Sequence, residues 1–176
     1  MLLVIDVGNT QTVFGVYQGT ELKHHFRLST DRRRTHDEYG VLFREILHDM
    51  GIELSGISGV CLASVVPPLT QILSKMCQDR MGVKPLIVGP GCKTGMPILY
   101  ENPREVGADR VVNGVAGYER FKKDGEGVGV IIVDFGTATT FDVVSPEGEY
   151  LGGAIAPGVT IATEALFLNA SKLPRV

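Results

Sequence analysis

Long apolar runs, cysteine and an excess of charge of either sign are all scarce in this chain of 176 residues. The apolar runs are brief, Val128 to Val133 among them. None approaches the roughly 20 residues that a membrane-spanning helix needs. Cys61, Cys77 and Cys92 are odd in number and lack C-x-x-C spacing, which argues against a disulfide framework or a zinc site. Two of them sit in apolar surroundings, where a reduced thiol behaves as a small hydrophobe. With 17 basic and 20 acidic residues the net charge is −3, so the bulk electrostatic footprint of a nucleic-acid binder is missing. Met1 leads straight into Leu2 to Ile5 and then Asp6, without the basic region and longer apolar stretch of a secretory leader. The expectation is a reduced, cytoplasmic, globular protein with neither nucleic acid nor membrane as partner.

What is present points to an α/β protein. Hydrophobic residues make up 44% of the chain and charged ones 21%, with 22 Gly and 9 Pro, ordinary values for a globular chain with a sizeable core. Leu2 to Asp6, Thr12 to Tyr17 and Leu22 to Leu28 read as strands, the last two joined by a turn at Gln18 to Glu21. Thr35-His36-Asp37-Glu38 matches a capping box. Behind it Tyr39, Leu42, Phe43, Ile46, Leu47 and Met50 recur on one helical stripe up to Gly51. Val60 to Ala63 reads as a buried strand. Pro67-Pro68 opens a helix carrying Leu69, Ile72, Leu73, Met76 and Cys77, and Pro85 to Val88 is another strand. Gly89 to Pro103 is long for a connection and is a candidate lid. A further helix starts near Glu105, with Ala108, Val111, Val112, Val115 and Ala116 on one face. Gly114 and Gly117 weaken it by roughly 1 kcal/mol each, which makes sense if something packs closely there.

The opening pattern then returns. Val4-Ile5-Asp6-Val7-Gly8-Asn9 and Ile132-Val133-Asp134-Phe135-Gly136-Thr137 align without a gap through Thr12/Thr140 and Val16/Val144. Each copy is an apolar strand, an Asp, a tight Gly turn and a second strand. A repeat this long suggests two related domains rather than a solenoid. The expected organisation is a first domain at 1–121, a charged, Gly-rich linker at 122–129 (KKDGEGVG), and the start of a second domain at 130–176. That second copy looks incomplete, with a last helix from about Gly158 to Ala170.

A strand-end carboxylate beside a Gly turn can hold a cation while the turn's backbone N–H groups approach an anion. Phosphoryl transfer needs a cation, a phosphate cradle and a positioned base. One such turn alone is more often an Asp-initiated hairpin, but two facing loops make a clamp.

Four segments in order, MLLVIDVGNTQTVFGVY, KTGMPILYENPREVGADRVVNGVAGYER, VDFGTATTFDVV and LGGAIAPGV, make the chain resemble the type III pantothenate kinases over its whole length. The resemblance implies an actin-like fold of duplicated RNase H-like domains, mixed sheets with flanking helices, the second domain incomplete here. It implies ATP-dependent conversion of pantothenate to 4'-phosphopantothenate, the first step of coenzyme A biosynthesis. Asp6, Val7, Gly8, Asn9, Thr10, Gln11, Thr12 and Val13 would form the first phosphate loop, with Asp6 near magnesium, and Thr137 would touch the ATP phosphates. Tyr100, Gly107, Ala108, Asp109 and Arg110 would contact pantothenate, with Asp109 as proton acceptor. Asp134 would hold a monovalent cation, potassium or ammonium. A homodimer is implied as well.

Other roles stand beside these. Asp109, in the first turn of a helix, could serve only to offset the helix dipole. Arg110 could be a plain ion-pair residue or could hold a substrate carboxylate, and Tyr100 could be a half-buried packing ring. The Lys93-Thr94 pair ends a Walker-like stretch, but Ile87 and Cys92 occupy its glycine positions. Gly125, Gly127 and Gly129 precede a strand, whereas a dinucleotide fingerprint follows one. Arg32-Arg33-Arg34 reads first as a solvated loop, with steering of ATP as the other use. His24 and His25, adjacent on a strand, face opposite sides and cannot share a metal. The alternatives to the kinase are a non-catalytic nucleotide-binding regulator of the Bvg accessory factor type, or another small-molecule kinase of the same superfamily.

Overall fold

Alternating apolar residues and two tight turns fold the start of the chain into a meander. In the computed structural model, which describes residues 1–122 and 127–170, β1 (Leu2–Val7), β2 (Gln11–Gln18) and β3 (Glu21–Ser29) pair antiparallel in sequence. β4 (Gly59–Ser64) then lies parallel to β1, and β5 (Leu86–Val88) parallel to β4. The resulting order is β3-β2-β1-β4-β5. With neighbours on both edges, β1 buries Leu3, Ile5 and Val7.

Two helices cover this sheet's core. α1 (His36–Asp49) starts as expected: the Thr35 side chain accepts from the Glu38 N–H while the Glu38 carboxylate accepts from the Thr35 N–H. Its stripe buries Tyr39, Phe43 and Leu47, whereas Leu42, Ile46 and Met50 are half-buried at the margin. Phe43 leans on a stacked pair, Phe14 and Phe26, whose ring centres lie 4.7 Å apart. α2 (Pro67–Met81) starts with proline in its first turn, where no N–H is missed, and buries Leu69, Leu73, Met76 and Cys77. These elements make up one compact unit, Met1–Cys92.

The second unit, Lys93–Val176, opens with an irregular stretch and a 3-10 turn at Pro103–Glu105. It continues through α3 (Ala108–Phe121), β6 (Val130–Phe135), β7 (Ala138–Val144), β8 (Tyr150–Pro157) and α4 (Val159–Asn169). The strands form an antiparallel sheet in the order β6-β7-β8. α3 packs on β6 and β7 so closely that a Cβ on Gly117 would lie 2.8 Å from Ile132 Cγ1. Ala108 and Gly114 are buried on that face, whereas Ala116 points outward. Pro97 to Leu99, within the expected lid, is tied to β8: Tyr150 N–H donates to the Pro97 carbonyl at 2.9 Å, and Leu99 N–H donates to the Tyr150 carbonyl at 2.8 Å.

Two expectations change. The structure divides after Cys92 rather than at 122–129, because α3 packs on the second sheet. Of that expected linker, residues 123–126 lie outside the described residues, as do 171–176 of the expected second domain. The duplicated pair of RNase H-like domains is corrected as well. The first sheet has five strands of mixed direction and the second three, all antiparallel. What recurs is one hairpin and its following strand, a pattern too short to specify a second copy of a domain. The α/β class with flanking helices stands.

Candidate active site

Each unit contributes a hairpin in which an Asp stands just before the turn. In the first, Val7 pairs with Thr12, and the intervening loop closes through Gly8 N–H donating to the Gln11 carbonyl at 3.0 Å. Asp6, Asn9 and Thr10 are exposed around it, while Val7 and Thr12 are buried beneath. A second segment braces the loop. Thr30 Oγ1 donates to the Gly8 carbonyl at 2.8 Å and stands 3.0 Å from Thr12 Oγ1, while the Thr30 N–H donates to the Thr10 carbonyl. Arg32 Nη2 donates to Asn9 Oδ1 at 3.2 Å. Its neighbours Arg33 and Arg34 pair instead with Asp31. The Arg33 N–H first, then both guanidinium groups, hold the Asp31 carboxyl below its usual range. Arg32 thus brings its positive charge onto the loop.

In the second hairpin Phe135 pairs with Thr139, and Gly136 N–H donates to the Ala138 carbonyl at 3.0 Å. This loop is one residue shorter, so the residue matching buried Thr12 is Thr139, also buried, and not Thr140 as the ungapped repeat suggests. Asp134, Gly136 and Thr137 are exposed. Asn113 of α3 donates from Nδ2 to Asp134 Oδ2 at 3.0 Å.

The start of α3 supplies the remaining candidates. Gly107 stands just before the helix and Ala108 is buried at its first position. Asp109, half-buried, accepts on Oδ1 from the Arg110 N–H at 2.8 Å. The Arg110 side chain runs to the sheet, where Nε meets Asp142 Oδ1 at 2.6 Å. Tyr100 lies over β8: a Cβ on Gly152, whose φ is +116°, would stand 3.1 Å from its ring. Within this unit Tyr100 therefore lies over β8 and the Arg110 side chain reaches β7, with Asp109 hydrogen-bonded to the Arg110 N–H. Asp142, Tyr150, Asn113, Thr30 and the Gly152-Gly153 pair did not enter the sequence reading as site residues. A lone carboxylate inside the otherwise apolar strand Phe141 to Val144 was the one available signal for Asp142.

A family model described as type III pantothenate kinase matches residues 2–176. The chain belongs to the type III pantothenate kinase family. It is 61% identical over all 176 residues to a type III pantothenate kinase of Moorella thermoacetica, covering 67% of that protein. It is 59% identical to one of Myxococcus xanthus, again over its whole length and 67% of the relative. Among solved structures, the Aquifex aeolicus Ppx/GppA phosphatase in its type II variant superposes with a TM-score of 0.56 at 13% identity, over 99% of this chain and 57% of that one, a likeness of fold. The family match runs across both units as one α/β whole, which completes the correction of the duplicated pair with an incomplete second member.

The donor set suits a nucleotide with its magnesium ion. Magnesium is commonly held by one or two carboxylates together with phosphate oxygens and water. The exposed carboxylate of Asp6, at the first loop, suits that need. Among the described residues no cluster of three metal-ligating side chains occurs, so the phosphates would complete the shell. At Gly8 the cradle is tight, since a Cβ there would lie 3.1 Å from the Gln11 carbonyl oxygen.

Proposed function

We propose that this protein transfers the γ-phosphoryl group of ATP to the primary hydroxyl of pantothenate. The observation that carries the reading is the family match over residues 2–176. The two relatives described above carry an enzyme's name, and neither lends support to a non-catalytic regulator. The first loop, Asp6 to Val13, binds ATP through its backbone N–H groups, with Arg32 adding a positive charge beside Asn9. Thr137 of the second loop meets the phosphates, and Asp134 holds a potassium or ammonium ion. When bound with the nucleotide, magnesium neutralises the charge that develops on the phosphates.

Asp109 accepts the hydroxyl proton as the phosphoryl group leaves ATP. Its Oδ1 is tied to the Arg110 N–H, so the proton goes to Oδ2. The step asks little of its base, because the transition state is loose. Tyr100, Gly107, Ala108 and Arg110 line the acceptor end. Among the described residues no helix is long and apolar enough to cross a membrane.

A second copy of the chain completes the reading. Ile131, Val133 and Phe135 on β6 and Val159, Leu166 and Leu168 on α4 are exposed, Phe135 to 74% and Leu168 to 77%. Sizing across protein concentration tests the dimer, and a monomer throughout would remove it. The activity is tested by coupling ADP release to a reporter with pantothenate, pantoate-like acids and sugar alcohols as acceptors. Turnover on a sugar alcohol in place of pantothenate would overturn the assignment.

A further inference from the structure

Asp142 is fully buried in β7, the middle strand of its sheet. A carboxylate there is costly unless it is both paired and hydrogen-bonded. It is both. Oδ1 accepts from Arg110 Nε at 2.6 Å and from the Tyr150 hydroxyl at 2.7 Å, while Thr140 Oγ1 stands 3.5 Å from Oδ2. Arg110 also donates from Nη2 to the Phe141 carbonyl at 3.3 Å, and its guanidinium carbon lies 5.9 Å from the centre of the Tyr150 ring. The side chain is only 13% exposed.

The sheet is built to receive this guanidinium. Gly153 of β8 pairs with Asp142, and a Cβ at Gly153 would fall 2.7 Å from Arg110 Nη2 and 1.7 Å from the Phe141 carbonyl oxygen. Glycine thus clears the floor on which the arginine lies. The same residue that reaches Asp142 through its side chain holds Asp109 through its backbone N–H. Tyr150, Asp142, Arg110 and Asp109 therefore form one connected chain of hydrogen bonds that ends at the candidate base.

Guanidinium carries five N–H donors in a rigid fork. Asp142 and Phe141 occupy Nε and Nη2, and neither uses Nη1. We propose that Asp142 is a positioning residue: it fixes Arg110, with Tyr150 fixing the carboxylate in turn, so that Nη1 is presented to the carboxylate of the acceptor substrate. A bidentate or stacked arginine cannot be exchanged for lysine without loss, and an arginine held on one edge loses less freedom when it binds an anion on another. The inference rests on the pantothenate reading above and assigns its carboxylate to Arg110 through Asp142.

The experiment measures KM for pantothenate and for ATP, and compares pantothenate with the neutral analogue whose carboxylate is replaced by a primary alcohol. Binding of both acceptors is followed by calorimetry. Asp142→Asn keeps the size and removes the charge. It is expected to raise KM for pantothenate about tenfold or more, to leave KM for ATP within about twofold, and to shrink the preference for the carboxylate by the same factor. Tyr150→Phe, which removes only the hydroxyl, moves the same quantities in the same direction by about threefold. A folded Asp142→Asn with unchanged preference for the carboxylate overturns the inference. If that variant does not fold, an unchanged preference in Tyr150→Phe overturns it instead. A wild-type chain that neither binds nor phosphorylates pantothenate overturns the functional reading and this inference together.

Discussion

The side-chain amide of Asn113 donates to Asp134 Oδ2 at 3.0 Å, tying the middle of α3 to the end of β6. The bond occupies one carboxylate oxygen and fixes the direction of the other. A monovalent cation at Asp134 would then have a pre-set oxygen ligand, and outer-shell partners of this kind tune affinity as the ligands themselves do.

Activity should therefore collapse when potassium is replaced by a bulky organic cation, and Asp134→Asn should no longer respond to the exchange. Asn113→Ala should keep the response but need about tenfold more potassium for half-maximal rate. Rates measured in the two salts for all three proteins decide this, and equal rates for the wild type would remove the cation from Asp134.

Asp109→Asn keeps shape and the ability to accept from the Arg110 N–H, but no longer takes up a proton. Turnover should fall by roughly 10²–10⁴-fold, the usual worth of a positioned base, with ATP binding and melting temperature unchanged. A helix-end charge without a chemical role gives the opposite pair of results, near-normal turnover and a slightly lower melting temperature.

Local signals in the sequence carried over well where a few neighbouring residues decide the outcome. The capping box at Thr35 and Glu38, the stripe through Phe43 and Leu47 and the proline start of α2 all follow from short-range chemistry. Features that depend on distant partners did not carry over. An ungapped repeat pairs Thr12 with Thr140, and only the register of the second hairpin reveals that its loop is one residue shorter. The charged, Gly-rich stretch at 122–129 marks a break in composition, yet α3 before it packs on the strands after it. Asp142 sits in a run that reads as plain apolar strand, and its partner Arg110 lies 32 residues earlier. A buried charge announces that it has a partner without saying which.

The capping box makes a stability prediction free of the active site. Thr35→Ala removes the acceptor for the Glu38 N–H and should cost about 0.5–2 kcal/mol, read as a lower urea midpoint with unchanged slope. Thr35→Ser should restore most of it. Equal losses in both variants would show that the Thr35 methyl group, and not its oxygen, matters at this position.

Alkaline stability should be limited by two buried acids. Cys77 is fully buried on α2, and burial pushes its thiol from the ordinary 9.0 up to about 12. The Tyr150 phenol is likewise raised above its ordinary 10.0, first by burial and then by its hydrogen bond to Asp142. In both cases the folded protein keeps a proton that the unfolded chain gives up. The folded state then binds more protons than the unfolded one, so stability is full below the ordinary values and falls as pH rises beyond them. Urea midpoints should hold steady to about pH 8 and decline above about pH 9. The Cys77→Ala variant, less stable at neutral pH because of its cavity, should decline less steeply over that alkaline range. Since the thiolate is the reacting form, alkylation near neutral pH should reach Cys77 only on unfolding, well after half-buried Cys61 and Cys92. Alkylation of Cys77 at the same rate as those two, together with an alkaline slope that Cys77→Ala leaves unchanged, would show that its thiol is not held protonated by the fold.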